Sequence, residues 1–117
     1  MVKTTKIDTV KLTGRSGQEY ELRIYVWETK FKALPGVYVV ASRSIEPGAA
    51  AVYQPLFVGT AEDLSKVFKN HPRNECFQLH YANTIGVVKQ PDAAARERIV
   101  EDLIAGLDPP CNAPDIG

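Results

Sequence analysis

The side chains able to do chemistry in this chain are two cysteines, two histidines and a spread of charged residues, and their spacing already narrows what they can do. Cys76 and Cys111 stand far apart with no CxxC pair and no Cys/His ligand spacing, which argues against zinc. They are expected to be reduced and buried as small hydrophobes, and a disulfide framework is not expected. Lys plus Arg and Asp plus Glu each total 14, so the formal net charge is zero. No global positive field then draws the chain to phosphate, and any nucleic-acid site must be a local patch.

These side chains need elements to hold them. A chain of 117 residues, 44% hydrophobic and 24% charged, has room for one globular domain. Thr9 to Trp27 reads as an N-terminal hairpin, with a strand around Val10 to Thr13, a turn at Gly14-Arg15-Ser16-Gly17, and a second strand. In that second strand Tyr20, Leu22, Ile24 and Val26 alternate with Glu21, Arg23 and Tyr25. Pro35 and Gly36 punctuate the chain before a β-branched central strand, GVYVVAS. Ser44 to Ala51 reads as a loop, and Leu56 to Gly59 as a short buried strand. Thr60 with Asp63 signals a capped helix that Pro72 ends, placing Leu64, Val67, Phe68 and His71 on adjoining positions of one helical face.

Arg73 to Ala82 is ambiguous, with a short helical turn as one reading. Thr84 to Lys89 is a strand in which Gly86 marks a bulge or a close backbone approach. Ile99, Val100, Leu103, Ile104 and Leu107 repeat at helical spacing until Pro109 and Pro110, and the tail to Gly117 is expected to fray. The order predicts an α+β fold, a small and mainly antiparallel sheet flanked by helices. The N-terminal stretch MVKTTKIDTVKL lacks the apolar run of a secretory signal, and nothing approaches the ~20 apolar residues of a membrane span. A cytoplasmic location without membrane contact is therefore expected.

Four segments in order, Gly36-Val37-Tyr38, Phe57-Val58-Gly59, the Thr60 to His71 stretch, and Asp102-Leu103-Ile104 leading to Pro109-Pro110-Cys111-Asn112, resemble the GIY-YIG nuclease superfamily. The resemblance covers roughly Leu34 to Asn112. The hairpin, with Ser16 to Tyr20, also resembles the lead-in of a bacterial subgroup. It implies a GIY-YIG-like domain over 1–117, with the hairpin at about 9–27 and the core at about 34–112.

The resemblance also implies roles. Tyr38 matches a tyrosine placed near the attacking water, where a phenol relays a proton; filling the core is its plainer reading. Phe57 replaces the second tyrosine and loses its hydroxyl. Val67 stands where the family has an arginine that holds phosphate, and Val100 where it has a glutamate that anchors Mg²⁺. Gly36 and Gly59 belong to the strand motifs. Asn112 matches a closing asparagine, read either as a brace near the active face or as a turn residue after Pro-Pro.

With both charged groups replaced by valine, the resemblance implies a catalytically silent domain that binds nucleic acid, DNA in particular, or a protein, with no cofactor. Arg43, Lys66, Lys69, Arg73 and Lys89 are the candidate phosphate contacts, a solvated basic rim being the plainer reading. The alternative is an active endonuclease with displaced groups, His71 or Lys66 serving the phosphate and Glu97 or Glu101 holding Mg²⁺ or Mn²⁺. A protein-interaction or oligomerisation module is the third reading, and the sequence leaves the oligomeric state open.

Overall fold

The computed structural model describes residues 6–112. Its strands are β1 (Asp8–Thr13), β2 (Glu19–Val26), β3 (Gly36–Ser44), β4 (Val52–Ala61) and β5 (Thr84–Lys89). They form one antiparallel sheet in the order β1-β2-β5-β3-β4. Helices α1 (Leu64–Val67), α2 (Asn74–Leu79) and α3 (Ala93–Leu107) and a 3-10 turn at Pro110–Asn112 complete an α+β fold with an N-terminal hairpin. Among the described residues no helix is long and apolar enough to cross a membrane.

Successive strand residues face opposite sides of a sheet, and β3 is buried on both. Tyr38 and Val40 join a cluster with Leu64, Phe77, Ile85 and Cys111, while Val37 and Val39 join Leu22, Ile24, Val58 and Leu103. Helices α1 and α2 therefore cover one face and α3 the other. The chain passes between the faces after α3, where Asp108 takes a left-handed backbone (φ 47°) and Pro109 and Pro110 prevent the helix from continuing. Asn112 then meets β4, its side-chain amide donating to the Val58 carbonyl at 2.9 Å and accepting from the Val58 N–H at 2.8 Å. It thereby braces the outer strand β4.

The hairpin is docked onto α3 by Asp102. Its carboxylate accepts from the Ser16 backbone N–H at 2.8 Å, the Ser16 hydroxyl at 2.7 Å and the Tyr20 hydroxyl at 2.7 Å. These bonds hold the Asp102 carboxyl below its ordinary pKa. The Ser16 and Tyr20 of the SGQEY segment are thus accounted for by packing of the fold itself.

Two expectations are corrected. The helix expected from Thr60 to His71 is a single turn, because Thr60 and Ala61 remain paired with Val37 and Gly36 of β3. Asp63 becomes the N-cap instead, accepting from the Ser65 N–H at 2.9 Å. Asn70, with φ 54°, then turns the backbone left-handed and ends any helical continuation before His71. The cysteines are not reduced: Cys76 of α2 and Cys111 beyond α3 form a disulfide, with Cα atoms 5.8 Å apart. Their distance in sequence hid the fact that the chain wraps the β4 edge and returns to the α2 side. At Gly86 the strand pairs without a bulge, and the space a Cβ would take is filled by side chains, Leu22 Cδ2 lying 2.8 Å from it, rather than by another backbone.

Candidate functional site

Tyr38 and His71 meet despite lying on separate elements. Tyr38 sits mid-sheet, opposite Gly59 on β4 and Val87 on β5. A Cβ on Gly59 would come within 2.7 Å of the Tyr38 hydroxyl, so the absent side chain makes room for the phenol. The left-handed Asn70 swings His71 inward, and its Nε2 lies 2.8 Å from the Tyr38 oxygen. Phe57, Phe68 and Phe77 enclose the pair, with ring centroids between 4.9 and 5.9 Å of the tyrosine or the imidazole. Tyr38 is 4% exposed and His71 6%.

The direction of the hydrogen bond follows from the other ring nitrogen. His71 Nδ1 accepts the backbone N–H of Arg73 at 3.0 Å, which requires its lone pair. A neutral imidazole then carries its proton on Nε2 and donates it to the Tyr38 oxygen. Burial pushes the Tyr38 phenol well above its ordinary pKa. Burial first, and then the charge of Arg73, push His71 below its own. Both groups are neutral near pH 7. With its Nδ1 lone pair engaged by the Arg73 N–H, His71 donates to the Tyr38 oxygen rather than accepting from it.

This depressed imidazole has a sign-definite consequence. Below the ordinary imidazole pKa of about 6.5 the unfolded chain gains a proton that the folded pair resists. Stability is therefore complete above about pH 6.5 and declines as pH falls toward the folded-state value. Urea midpoints at pH 7.5 and 5.5 should drop for the native chain and change less for His71→Phe, which fills the same aromatic cage; equal drops would contradict the buried neutral assignment.

The remaining sequence candidates do not gather around this pair. Val67 packs against the Tyr38 cluster, but Val100 packs on the opposite face with Leu103 and Val58. Glu97 and Glu101 are exposed on α3, and Glu101 stands beside Arg15, Ser16 and Arg98. Lys66 is exposed and 3.9 Å from Asp63, and Lys69 is exposed. Arg73 is half-buried behind His71. Arg43 lies at the far end of β3 from Gly36 and donates to the Tyr53 hydroxyl at 2.9 Å, which in turn donates to Asp8 at 2.8 Å. Seven residues of extended strand span about 23 Å, so Arg43 and Lys89, the partner of Gly36, cannot share one contact. Gly36 itself lies close to the Val88 carbonyl, which a Cβ would approach to 2.5 Å.

Installing the charged pair that the GIY-YIG resemblance implies tests this separation. Val67→Arg with Val100→Glu should produce no plasmid nicking with Mg²⁺ or Mn²⁺. Each change also removes a valine from an apolar cluster, at a cost of about 1.5–3 kcal/mol. Metal-dependent nicking by the double variant would show that the two positions do converge.

Lys89 does belong to a groove, with partners that sequence reading passed over. Arg23, Tyr25, Lys30, Phe31, Lys32, Leu34, Leu64 and Val87 line it with Lys89. Phe31 packs between Tyr25, at 5.3 Å, and Phe68, at 5.5 Å, and so fixes the loop that carries Lys30 and Lys32. The Leu64 N–H donates to the Leu34 carbonyl at 2.9 Å and ties the same loop to α1. On the other wall the Gln90 N–H reaches the Pro35 carbonyl at 3.3 Å, and Arg96 Nη1 donates to the Gln90 and Pro91 carbonyls at 3.0 Å each, which sets the strand end bearing Lys89. Among the described residues, four cations and two aromatic rings line the groove, and no carboxylate does. The Lys30-Phe31-Lys32 triplet, basic residues interleaved with an aromatic, was the sequence signal for it.

No protein family, curated protein or solved structure matches the chain.

Proposed function

We propose that this chain is a catalytically silent, GIY-YIG-type domain that binds single-stranded nucleic acid along the Arg23–Lys89 groove, in the cytoplasm and without a cofactor for that binding. The observation carrying the reading is the groove's composition: Arg23, Lys32 and Lys89 beside Tyr25 and Phe31, with no carboxylate among the described residues that line it. Cations that track a phosphate backbone, next to rings on which bases stack, are the combination single strands require. The zero net charge is compatible because the cations are gathered locally. The silent half of the reading is supported by the enclosed, neutral Tyr38–His71 pair and by carboxylates Glu97 and Glu101 that face solvent elsewhere.

Fluorescence anisotropy with a labelled single-stranded oligonucleotide, titrated over salt with Mg²⁺ present, tests both halves. The expected result is binding whose logarithm falls linearly with log salt, at about 0.7 per phosphate neutralised, while the oligonucleotide stays intact. Binding independent of salt, or cleavage that Tyr38→Phe abolishes, would overturn it. A second reading, a protein partner or second copy on the α2 side, is favoured by the exposed Leu79 and Tyr81, 73% and 82% accessible. Light scattering that stays monomeric at every concentration would remove the second-copy form of that reading.

A further inference from the structure

The disulfide has a third neighbour. Cys76 and His80 are four residues apart at the α2 end, a spacing that puts two side chains on one helical face. The ligand atoms of Cys76, His80 and Cys111 all lie within 4.8 Å of one another. Among the described residues the His80 imidazole has no hydrogen-bond partner, whereas His71 uses both ring nitrogens. Cys111 is buried and Cys76 and His80 are half-buried, so the cluster reaches solvent through the latter two.

We infer that, when its disulfide is reduced, this cluster is a binding site for a soft divalent cation, zinc above all. Two thiolates and an imidazole are a donor set zinc accepts, leaving one of its four positions for water on the open side. Zn–S bonds of about 2.3 Å at tetrahedral angles set thiolate sulfurs about 3.8 Å apart, so the two sulfurs, bonded to each other in the oxidised chain, must separate on reduction to hold the ion. Among the described residues no carboxylate joins the group, so its donor set is a poor match for ions such as Mg²⁺ that prefer oxygen ligands.

The chemistry balances with a dithiol as reductant. The dithiol gives two electrons and two protons, closes its own disulfide, and leaves Cys76 and Cys111 as thiols. Zn²⁺ then replaces the two thiol protons, which are released to solvent, and His80 contributes its neutral nitrogen without proton loss. The same pair of sulfurs cannot be joined to each other and ligate the ion as thiolates. Oxidised and metal-bound forms are therefore alternatives, and the cluster couples metal occupancy to thiol redox state. The fold supports this switch because Cys111 is held in place independently, by the Asn112 amide on Val58.

The test uses the full chain, reduced with a dithiol that is then removed anaerobically, and Zn²⁺ alone as the probe, followed by chelator competition. Co²⁺ in its place reports thiolate ligation through charge-transfer absorption. The reduced chain should take up one equivalent of Zn²⁺ at least 100-fold more tightly than Cys76→Ser/Cys111→Ser, and the oxidised chain should match that double variant. His80→Ala leaves the disulfide intact for folding, and after reduction should bind at least 10-fold more weakly than the native chain, with an altered Co²⁺ spectrum. Zinc affinity unchanged by His80→Ala, or no Co²⁺ charge-transfer band in the reduced native chain, overturns the site. So does a reduced chain that loses its circular dichroism signal and does not regain it with Zn²⁺.

Discussion

Charge reversal at Lys32 and Lys89 together is expected to weaken single-strand binding by on the order of 100-fold at low salt. The two side chains stand on opposite walls of one groove, one on the loop fixed by Phe31 and one at the end of β5. Each reversal removes an attraction to phosphate and adds a repulsion. A unit-charge contact at 4 Å in water is worth about 1 kcal/mol, so four such changes, partly screened by salt, give roughly 3 kcal/mol, or two decades of affinity. The salt slope should fall as well, since fewer counterions are released. Reversal of Arg43 and Lys69, equal in charge but outside the groove, is the control and should change affinity by less than about threefold. Anisotropy titrations of the two double variants decide the matter: equal losses would mean a diffuse field rather than a groove.

Opening the Cys76–Cys111 bond should lower stability by about 4 kcal/mol in the absence of metal. The bond closes a loop with a sequence separation of 35 residues, and the chain-entropy relation for a loop of that size gives roughly this value. A domain of this length typically has 5–15 kcal/mol in all, so the reduced chain stays folded with little to spare. At a few degrees per kcal/mol, the melting temperature should fall by about 12–20 °C. Thermal melts with and without a dithiol, in the presence of chelator, measure it. An unchanged melting temperature would mean that the aromatic cluster around Phe77 and the Asn112 brace hold α2 and the C-terminal turn without the bond.

Most strands and α3 were legible because their apolar residues repeat at one clear period, whereas β4, expected only over Leu56 to Gly59, runs from Val52 to Ala61. Leu22 and Ile24 alternate with Arg23 and Tyr25 on β2, and Leu103 recurs with Val100, Ile104 and Leu107 on α3. The region between β4 and β5 was not, because pairing of Thr60 and Ala61 with β3 and a left-handed Asn70 decide it, and both depend on tertiary context. The same context explains what was missed at the sites. Tyr38 and His71 could be named from sequence but not joined, since their meeting depends on that turn after α1. Cys76 and Cys111 gave no sign of pairing because proximity came from the chain's passage around β4. Arg23 gave no sign of a shared site, because only the pairing of β2 with β5 sets it beside Lys89.

The central claim is that nucleic acid occupies the basic, aromatic groove and leaves the enclosed Tyr38–His71 pair untouched. Its most direct test is a ¹H–¹⁵N titration of the chain with a single-stranded oligonucleotide and Mg²⁺, following backbone amides and the His71 ring together. The account predicts shifts concentrated at Arg23, Tyr25, Phe31, Lys32 and Lys89, a His71 ring that stays neutral with its proton on Nε2, and an intact oligonucleotide. Shifts centred on His71 with a proton moved to Nδ1, accompanied by strand cleavage, would contradict it.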